Sequence, residues 1–400
     1  MIQDTVVTFG DLPRRGGGRP PANGRERRVS GISGDTGWTG QGNRASPSRG
    51  TAGLRHTLWL SPHGVVKAVL AARSEVATRK AGGREFRTVA FSGKGAFRAT
   101  AWFDRNNMLR GVDSVVANPV YGDMPVRTAY SGYKTFDGVK FPTRIRVSSA
   151  GFPTLDVTIT SVKANVAADI VPPKGLRGGG GVTMEKAADG VWFVAGGSHN
   201  SVAIEMKDHV LLVEAPLGDG RTRAVLAEVR KTIPGKPVRT VLNTHLHFDH
   251  SGGLRAAASE GIAIATFKDN VPFFQAAYAG RDTIRPDAYA RAKKKAKFVG
   301  IGDRHVFSDG SRTVEMHRLI GNAHSNGLYV IYLPGEKILS VADAYSARSI
   351  LKAPAARVDP STANLWENLV RLKLDVRTVL PIHGRKVGFD QLRMAAGQQP

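Results

Sequence analysis

A cluster of side chains that could bind metal lies between residues 244 and 253, which read Thr-His-Leu-His-Phe-Asp-His-Ser-Gly-Gly. The segment holds four candidate ligands within six residues: His245, His247, Asp249 and His250. Imidazole nitrogen and carboxylate oxygen are common ligands of divalent transition metals. Four ligands at this spacing cannot share one face of a helix or a strand, so the segment predicts a loop that curls around an ion.

The flanking residues indicate which elements position this loop. Residues 238–243 predict a buried strand before the loop, and residues 254–260 predict a short helix after it. Gly252 and Gly253 would let the start of that helix pack closely behind the loop. A lone His-x-His is a weak signal, whereas His-x-His-x-Asp-His directly after a strand is a specific one.

This motif resembles the signature of the metallo-β-lactamase superfamily, and the resemblance extends over about residues 183–390. It implies three further ligands, each after a strand: a histidine, an acidic residue and a last histidine. The chain has His324 in Gly-Asn-Ala-His-Ser, Asp343 in Ser-Val-Ala-Asp-Ala and His383 in Leu-Pro-Ile-His-Gly, in that order. All seven ligand positions of the family are therefore filled.

The resemblance also implies how the ligands are shared and which metal they bind. One metal would be bound by His245, His247 and His324, and a second by Asp249, His250 and His383, with Asp343 bridging the two. We expect two zinc ions per chain, with iron or manganese as alternatives for nitrogen and oxygen ligands. Zinc is favoured because the related diiron flavoproteins typically have glutamate at the position of His247.

For function, the resemblance implies a binuclear metallo-hydrolase in which a hydroxide that bridges the metals attacks the substrate. Asp249 and Asp343 are the expected catalytic carboxylates. The bond to be cleaved is an ester, thioester, lactone or amide-like bond, as in glyoxalase II, lactonases and β-lactamases. The zinc β-lactamases usually have Cys or Ser at the position of Asp343, which disfavours a strict β-lactamase. Substrate contacts are expected from His199, Asn326 and Tyr345, which lie in or near the ligand-bearing loops.

Three alternatives stay open at this point. The first is a sulfur dioxygenase of the same fold, which uses one iron held by two histidines and one aspartate. The second is a phosphodiesterase or a nucleic-acid-processing member of the family. The third is a non-catalytic binding protein, which is disfavoured because degenerate members usually lose ligands and none is lost here.

Outside the motifs, the chain divides into four segments. Residues 1–55 are rich in Gly, Arg, Pro and Ser and predict a disordered tail. Residues 56–172 predict a small antiparallel β-rich domain, with alternating segments at 97–103, 127–133, 141–147 and 155–162. Residues 173–182 form a linker. Residues 183–400 alternate strands and helices, with a mostly polar helix at 271–297, and predict an α/β domain that the resemblance specifies as an αββα sandwich.

Composition limits the partners and the compartment. The chain has no cysteine, so disulfides and thiolate ligands are excluded, and no apolar run is long enough for a membrane span. The net charge of +24 reflects a basic background without interleaved aromatic residues, which disfavours nucleic acid and favours a small-molecule substrate. The sequence shows no export signal, although the β-rich domain weakly resembles periplasmic lipid-handling domains and favours an envelope location. Neither the substrate nor the oligomeric state can be inferred.

Overall fold

The structure is a computed structural model that describes residues 1–8, 25–40, 45–48, 50–93, 97–167, 170–176 and 181–399. The chain divides into two compact units. Among the described residues, the N-terminal unit comprises 1–7, 26–176 and 280–286, and the C-terminal unit comprises 181–279 and 287–399 together with Thr8 and Arg25. Gly280–Pro286 clusters with the N-terminal unit although it lies far along the chain from the rest of that unit.

The N-terminal unit is built mainly from antiparallel strands. Its strands are β1 (Ile2–Thr8), β2 (Arg25–Ser33), β3 (Thr36–Thr39), β4 (Ser46–Pro47), β5 (Val76–Ala81), β6 (Arg84–Gly93), β7 (Phe97–Phe103), β8 (Leu109–Asn118), β9 (Gly122–Phe136), β10 (Val139–Ser149) and β11 (Phe152–Thr158). Its helices are α1 (Thr51–Trp59) and α2 (Pro62–Ala72). Strands β5 to β11 form a seven-stranded meander in chain order, which confirms the predicted β-rich domain.

The prediction of disorder over residues 1–55 is wrong for the residues that the structure describes. Strands β1 to β4 form a small sheet in which Ile32 and Trp38 are buried. Gly31 pairs with Trp38 in the register, and a Cβ atom at Gly31 would lie only 2.2 Å from the indole ring. The glycine that suggested disorder therefore makes room for a core side chain. Residues 9–24, 41–44 and 49 lie outside the described residues, so the prediction for them stays open.

The C-terminal unit alternates strands and helices. Its strands are β12 (Thr183–Ala188), β13 (Val191–Ala195), β14 (Ser201–Glu205), β15 (Val210–Val213), β16 (Val238–Leu242), β17 (Ala263–Phe267), β18 (Phe298–Ile301), β19 (Arg304–Ser308), β20 (Thr313–Arg318), β21 (Tyr329–Leu333), β22 (Ile338–Ala347), β23 (Thr378–Gly384) and β24 (Val387–Gly388). Its helices are α3 (Asp219–Thr232), α4 (Phe248–Ser251), α5 (Leu254–Ser259), α6 (Val271–Tyr278), α7 (Ala288–Ala292), α8 (Pro360–Leu372) and α9 (Phe389–Ala395).

These strands form two mixed sheets that share one hydrophobic core. Strands β12 to β18 form a seven-stranded sheet, and β19 to β24 form a six-stranded one. Buried aliphatic side chains from both sheets, such as Leu211 and Leu242 from the first and Val330 and Leu380 from the second, belong to the same core cluster. Helices flank the sheets. The predicted αββα sandwich is therefore confirmed.

The structure differs from the sequence-based elements at two places that matter below. The predicted helix at 271–297 is only α6 and α7, separated by residues 279–287, because Gly280 and Pro286 interrupt the helical pattern. Strand β22 continues to Ala347, so Asp343 lies within its irregular second half instead of following the strand. Among the described residues, no helix is long and apolar enough to cross a membrane.

Candidate metal centre

The loop between β16 and α4 has the shape that the sequence predicts. Asn243 follows the buried strand, and its side-chain amide donates a hydrogen bond to the carbonyl oxygen of His245 at 2.8 Å. Helix α4 starts inside the motif, so the chain turns between the first and last ligands. Gly253 packs tightly, because a Cβ atom there would lie 1.9 Å from Thr222 Oγ1. Local hydrogen bonds and a glycine contact thus hold the loop in place.

Three histidines and Asp343 form the first group of candidate ligands. His245 Nε2 lies 3.2 Å from His247 Nδ1 and 3.1 Å from His324 Nε2. His245 and His324 are buried, whereas His247 is partly exposed. Three ring nitrogens therefore converge on one point, with two of the ligands from the β16–α4 loop and the third from the loop after β20.

The second group comprises His199, Asp249, His250 and His383. His250 Nε2 lies 3.3 Å from His383 Nε2 and 3.8 Å from a carboxylate oxygen of Asp249. His383 lies within β23, near its end, instead of following the strand as the sequence predicts for the last ligand. The Asp249 side chain is half exposed, so this group is open to solvent on one side.

Asp343 connects the two groups. Its Oδ1 lies 2.8 Å from His250 Nε2 and 2.9 Å from His383 Nε2, while its Oδ2 lies 3.2 Å from His324 Nε2. Each of the two carboxylate oxygens of Asp343 thus faces one of the two groups. This is the arrangement of a bridging ligand between two cations.

The other ring nitrogens of the candidate ligands show whether a metal fits. Glu214 is fully buried and follows β15. Its Oε2 lies 3.1 Å from His250 Nδ1, while its Oε1 accepts hydrogen bonds from the Thr244 amide at 2.8 Å and the Thr244 hydroxyl at 2.6 Å. Because that hydroxyl donates to Glu214, it accepts from His245 Nδ1, 3.1 Å away. These contacts keep a proton on Nδ1 of His245 and of His250, so each ring can present Nε2 to a divalent cation, while His247 faces the same point through Nδ1.

The pKa shifts of the candidate ligands also bear on whether a metal can bind. Burial lowers the pKa of His245 well below its usual value and also lowers the pKa of His247, which keeps both rings in the neutral form that binds metal. Burial acts in the same direction on His250, but Glu214 and Asp343 outweigh it and raise its pKa to about 10. In the metal-free protein a proton on His250 thus offsets the carboxylates. Metal uptake must release that proton, so affinity should fall as the pH is lowered.

The two groups lie at the bottom of one open cleft of about 650 Å³. Its lining comprises Gly197, Ser198, His199, His247, Asp249, His324, Asp343, Arg348, His383 and Gly384. The volume lies within the range of sites that bind small molecules. Among these lining residues, Arg348 is the cation.

The three residues expected to touch substrate lie in different environments. His199 lines the cleft beside Asp249. Tyr345 is buried in the core of the sandwich, and Asn326 is exposed with its side-chain oxygen accepting a hydrogen bond from Arg318 at 3.1 Å. Asn326 and Tyr345 do not line the cleft, so their contact with substrate stays a prediction that their positions do not support.

Sequence reasoning missed Glu214 and Arg348. A signal for Glu214 was present, because a carboxylate directly after the four buried aliphatic residues of β15 has no solvent and needs partners. Its backbone adds a second sign, since a φ of +68° is a strained conformation for a residue other than glycine. Arg348 carried no such signal, because only the tertiary structure places it at the cleft.

Comparisons with known proteins assign a family to part of the chain. Residues 194–383 match the model of the metallo-beta-lactamase superfamily. This part of the chain is therefore a metallo-beta-lactamase superfamily domain.

One curated relative is the 2,4-dinitroanisole O-demethylase subunit alpha of Nocardioides sp. strain JS1661, which is 25% identical over 194 residues. The match covers 47% of this chain and 52% of the relative, so it spans about half the length of that protein. Similar solved structures include a metallo-beta-lactamase from Pontibacter korlensis (19% identity, TM-score 0.42) and one from Hirschia baltica (21%, 0.40). Each covers 54% of this chain and 97% of the other.

Proposed function

We propose that this chain is a binuclear zinc hydrolase that cleaves an ester, thioester, lactone or amide-like bond in a small molecule. The observation that carries the proposal is the arrangement of Asp343, which directs one carboxylate oxygen to each of two imidazole groups at the bottom of one cleft. An isolated structural site would need no second group and no opening. A pair of sites that share a carboxylate and face an open cleft is suited to metal-assisted hydrolysis.

In this proposal each residue of the site has its own role. His245, His247 and His324 would hold one zinc ion, and Asp249, His250 and His383 the other, with Asp343 between them. Two bound divalent cations supply Lewis acidity and lower the pKa of water. Asp343 offsets the repulsion between the cations. Asp249, half exposed in the cleft, accepts a hydrogen bond from the attacking water and orients it. Glu214 and Thr244 keep the imidazoles in the tautomer that binds metal.

A substrate panel tests this function. Zinc-loaded protein is assayed against aryl esters, thioesters, lactones, β-lactams and phosphodiesters, with 2,4-dinitroanisole added because of the relative described above. A chelated sample of the same preparation is the control. We expect metal-dependent turnover of at least one carbonyl substrate. Turnover confined to phosphodiesters, or oxygen consumption with a persulfide by a protein holding one iron, would assign the chain to another reaction class.

Arg348 provides a prediction about substrate preference. Its side chain is exposed at the cleft and has no ion pair with any described residue, so it can pair with an anionic group of the substrate. Arg348→Gln should lower kcat/KM for a carboxylate-bearing ester by roughly two- to fivefold, the scale of a solvent-exposed ion pair. A matched uncharged ester should lose less. Steady-state kinetics on the two esters measures the difference.

Arg357→Gln is the matched control, because Arg357 is exposed and does not line the cleft. If Arg348→Gln affects the charged and uncharged esters equally, or if Arg357→Gln shows the same selective loss, Arg348 does not select the substrate.

A further inference from the structure

His199 lies closer to the candidate metals than a residue that only contacts substrate needs to be. It is in the loop between β13 and β14, is only 6% exposed, and belongs to the same ligand group as Asp249, His250 and His383. His199 Nε2 lies 3.3 Å from Asp249 Oδ2. Its ring centroid lies 4.2 Å from that of His383 and 5.0 Å from that of His250. The ring therefore faces the inside of the group and not the open cleft alone.

The other ring nitrogen of His199, Nδ1, has a hydrogen-bonding partner on the side away from the candidate metal. His199 Nδ1 lies 2.7 Å from the hydroxyl oxygen of Ser198. The backbone carbonyl oxygen of Ser198 also accepts a hydrogen bond from His383 Nδ1, at 3.2 Å. If Nδ1 of His199 donates to the hydroxyl, the lone pair of Nε2 points into the group. This is the support that metal-binding histidines usually have at their other ring nitrogen.

The backbone of this loop is fixed to the strand that carries His383. Asn200 donates from its backbone amide to the Ile382 carbonyl at 2.8 Å, and from its side-chain amide to the carbonyls of Pro381 and Gly384 at 3.0 and 2.8 Å. On the other side, the Arg221 guanidinium donates to the His199 carbonyl at 3.2 Å. A ring on a backbone held from both sides is in place before any ligand arrives.

We propose that His199 is an additional ligand of the second metal, binding through Nε2 beside Asp249, His250 and His383. The inference rests on the proposed metal-dependent function and goes beyond the seven ligands that the sequence predicts. Each metal would then have three imidazoles, and the second would have two carboxylates as well, from Asp249 and Asp343. The metal of His245, His247 and His324 has one carboxylate fewer and would therefore be the one with room for the substrate oxygen.

The spacing supports a ligand over a hydrogen-bonding partner of Asp249. A separation of 3.3 Å between His199 Nε2 and Asp249 Oδ2 is long for a charge-assisted hydrogen bond. It equals the separation of the two ligand nitrogens of His250 and His383. Two neighbouring ligand atoms that are each about 2.1 Å from one zinc ion are roughly 3.0 to 3.4 Å apart. The observed distance thus matches two ligands of one ion.

Proton NMR of the cobalt-substituted protein tests this inference directly. A histidine that binds paramagnetic Co²⁺ shows a strongly shifted ring N–H signal that disappears in D₂O, whereas a histidine that only donates to a ligand shows no such contact shift. We expect the protein with two cobalt ions to show one more exchangeable shifted signal than His199→Gln. His209→Gln, which changes a histidine in a turn beside Asp208, should retain the full set.

The outcomes separate this inference from the proposed function. If wild type and His199→Gln with equal cobalt content show the same set of shifted signals, His199 is not a ligand and the inference fails, while the proposed function stands. If the purified chain takes up no metal at the second group, both fail. His199→Gln should leave the signals of His245, His247 and His324 in place. Those signals show that the variant is folded.

Discussion

Asp343→Asn is expected to lower the occupancy of at least one metal site and to reduce kcat by at least about 10²-fold, the scale of losing a positioned catalytic group. Asparagine keeps the shape and one oxygen of the side chain but removes the negative charge. That charge faces His250 and His383 through one oxygen and His324 through the other. Without it, the repulsion between two cations is no longer offset, and an amide NH₂ group would face one set of ligands.

The comparison with Asp249→Asn makes this test specific. Asp249 belongs only to the second group, so its change should leave the metal of His245, His247 and His324 in place while kcat falls by a similar factor. Elemental analysis beside kcat distinguishes the two patterns. Asp375→Asn, which alters an exposed carboxylate paired with Lys337, is the matched control. If both site variants keep two metals and near-normal kcat, these carboxylates are structural.

Glu214→Gln should weaken metal binding by about 10- to 100-fold, although Glu214 touches neither metal, since this is the usual effect of losing a partner of a ligating histidine. The amide of glutamine would donate to His250 Nδ1, which now donates to Glu214. His250 would then carry its proton on Nε2, the atom that must bind the metal. A competition titration with a chromophoric chelator measures the affinity of each site.

Glu205→Gln is a suitable control, because Glu205 ends the neighbouring strand β14 and contacts Trp192 and Lys236 instead of a ligand. A merely structural role for Glu214 predicts a lower melting temperature with unchanged metal affinity in the folded protein. That pattern would contradict the positioning role. A loss of affinity at an unchanged melting temperature would support it.

The sequence was sufficient to predict seven residues that the structure brings together as candidate ligands, for a physical reason. Candidate ligands such as His245 and His250 are constrained in type and in spacing, because ligand atoms must converge within a few ångströms. The structure brings these residues together with His324, Asp343 and His383, which the resemblance supplied from distant parts of the chain. The sandwich fold was predicted from a different signal, since a strand such as β15, in which every residue is buried, is a continuous apolar run.

Other features depend on contacts between distant segments and left little trace in the sequence. The orientation of Glu214 towards both His250 and Thr244 follows from its strained backbone and from the pairing of β15 with β16. Glycine at position 31 suggested disorder, yet it makes space for Trp38. The long polar segment at 271–297 has helical composition, but Gly280 and Pro286 break it into two short helices.

Titration of the metal-free protein with zinc tests the two-metal site, with hydrolysis and metal content measured on the same samples. We expect no hydrolysis without metal, a rise in turnover as zinc is added, and saturation at two zinc ions bound per chain, the number of ligand groups at the cleft. Elemental analysis after removal of free zinc confirms the stoichiometry. Hydrolysis that persists in protein shown to be metal-free, or full activity with a single bound ion, would contradict the two-metal site built around Asp343.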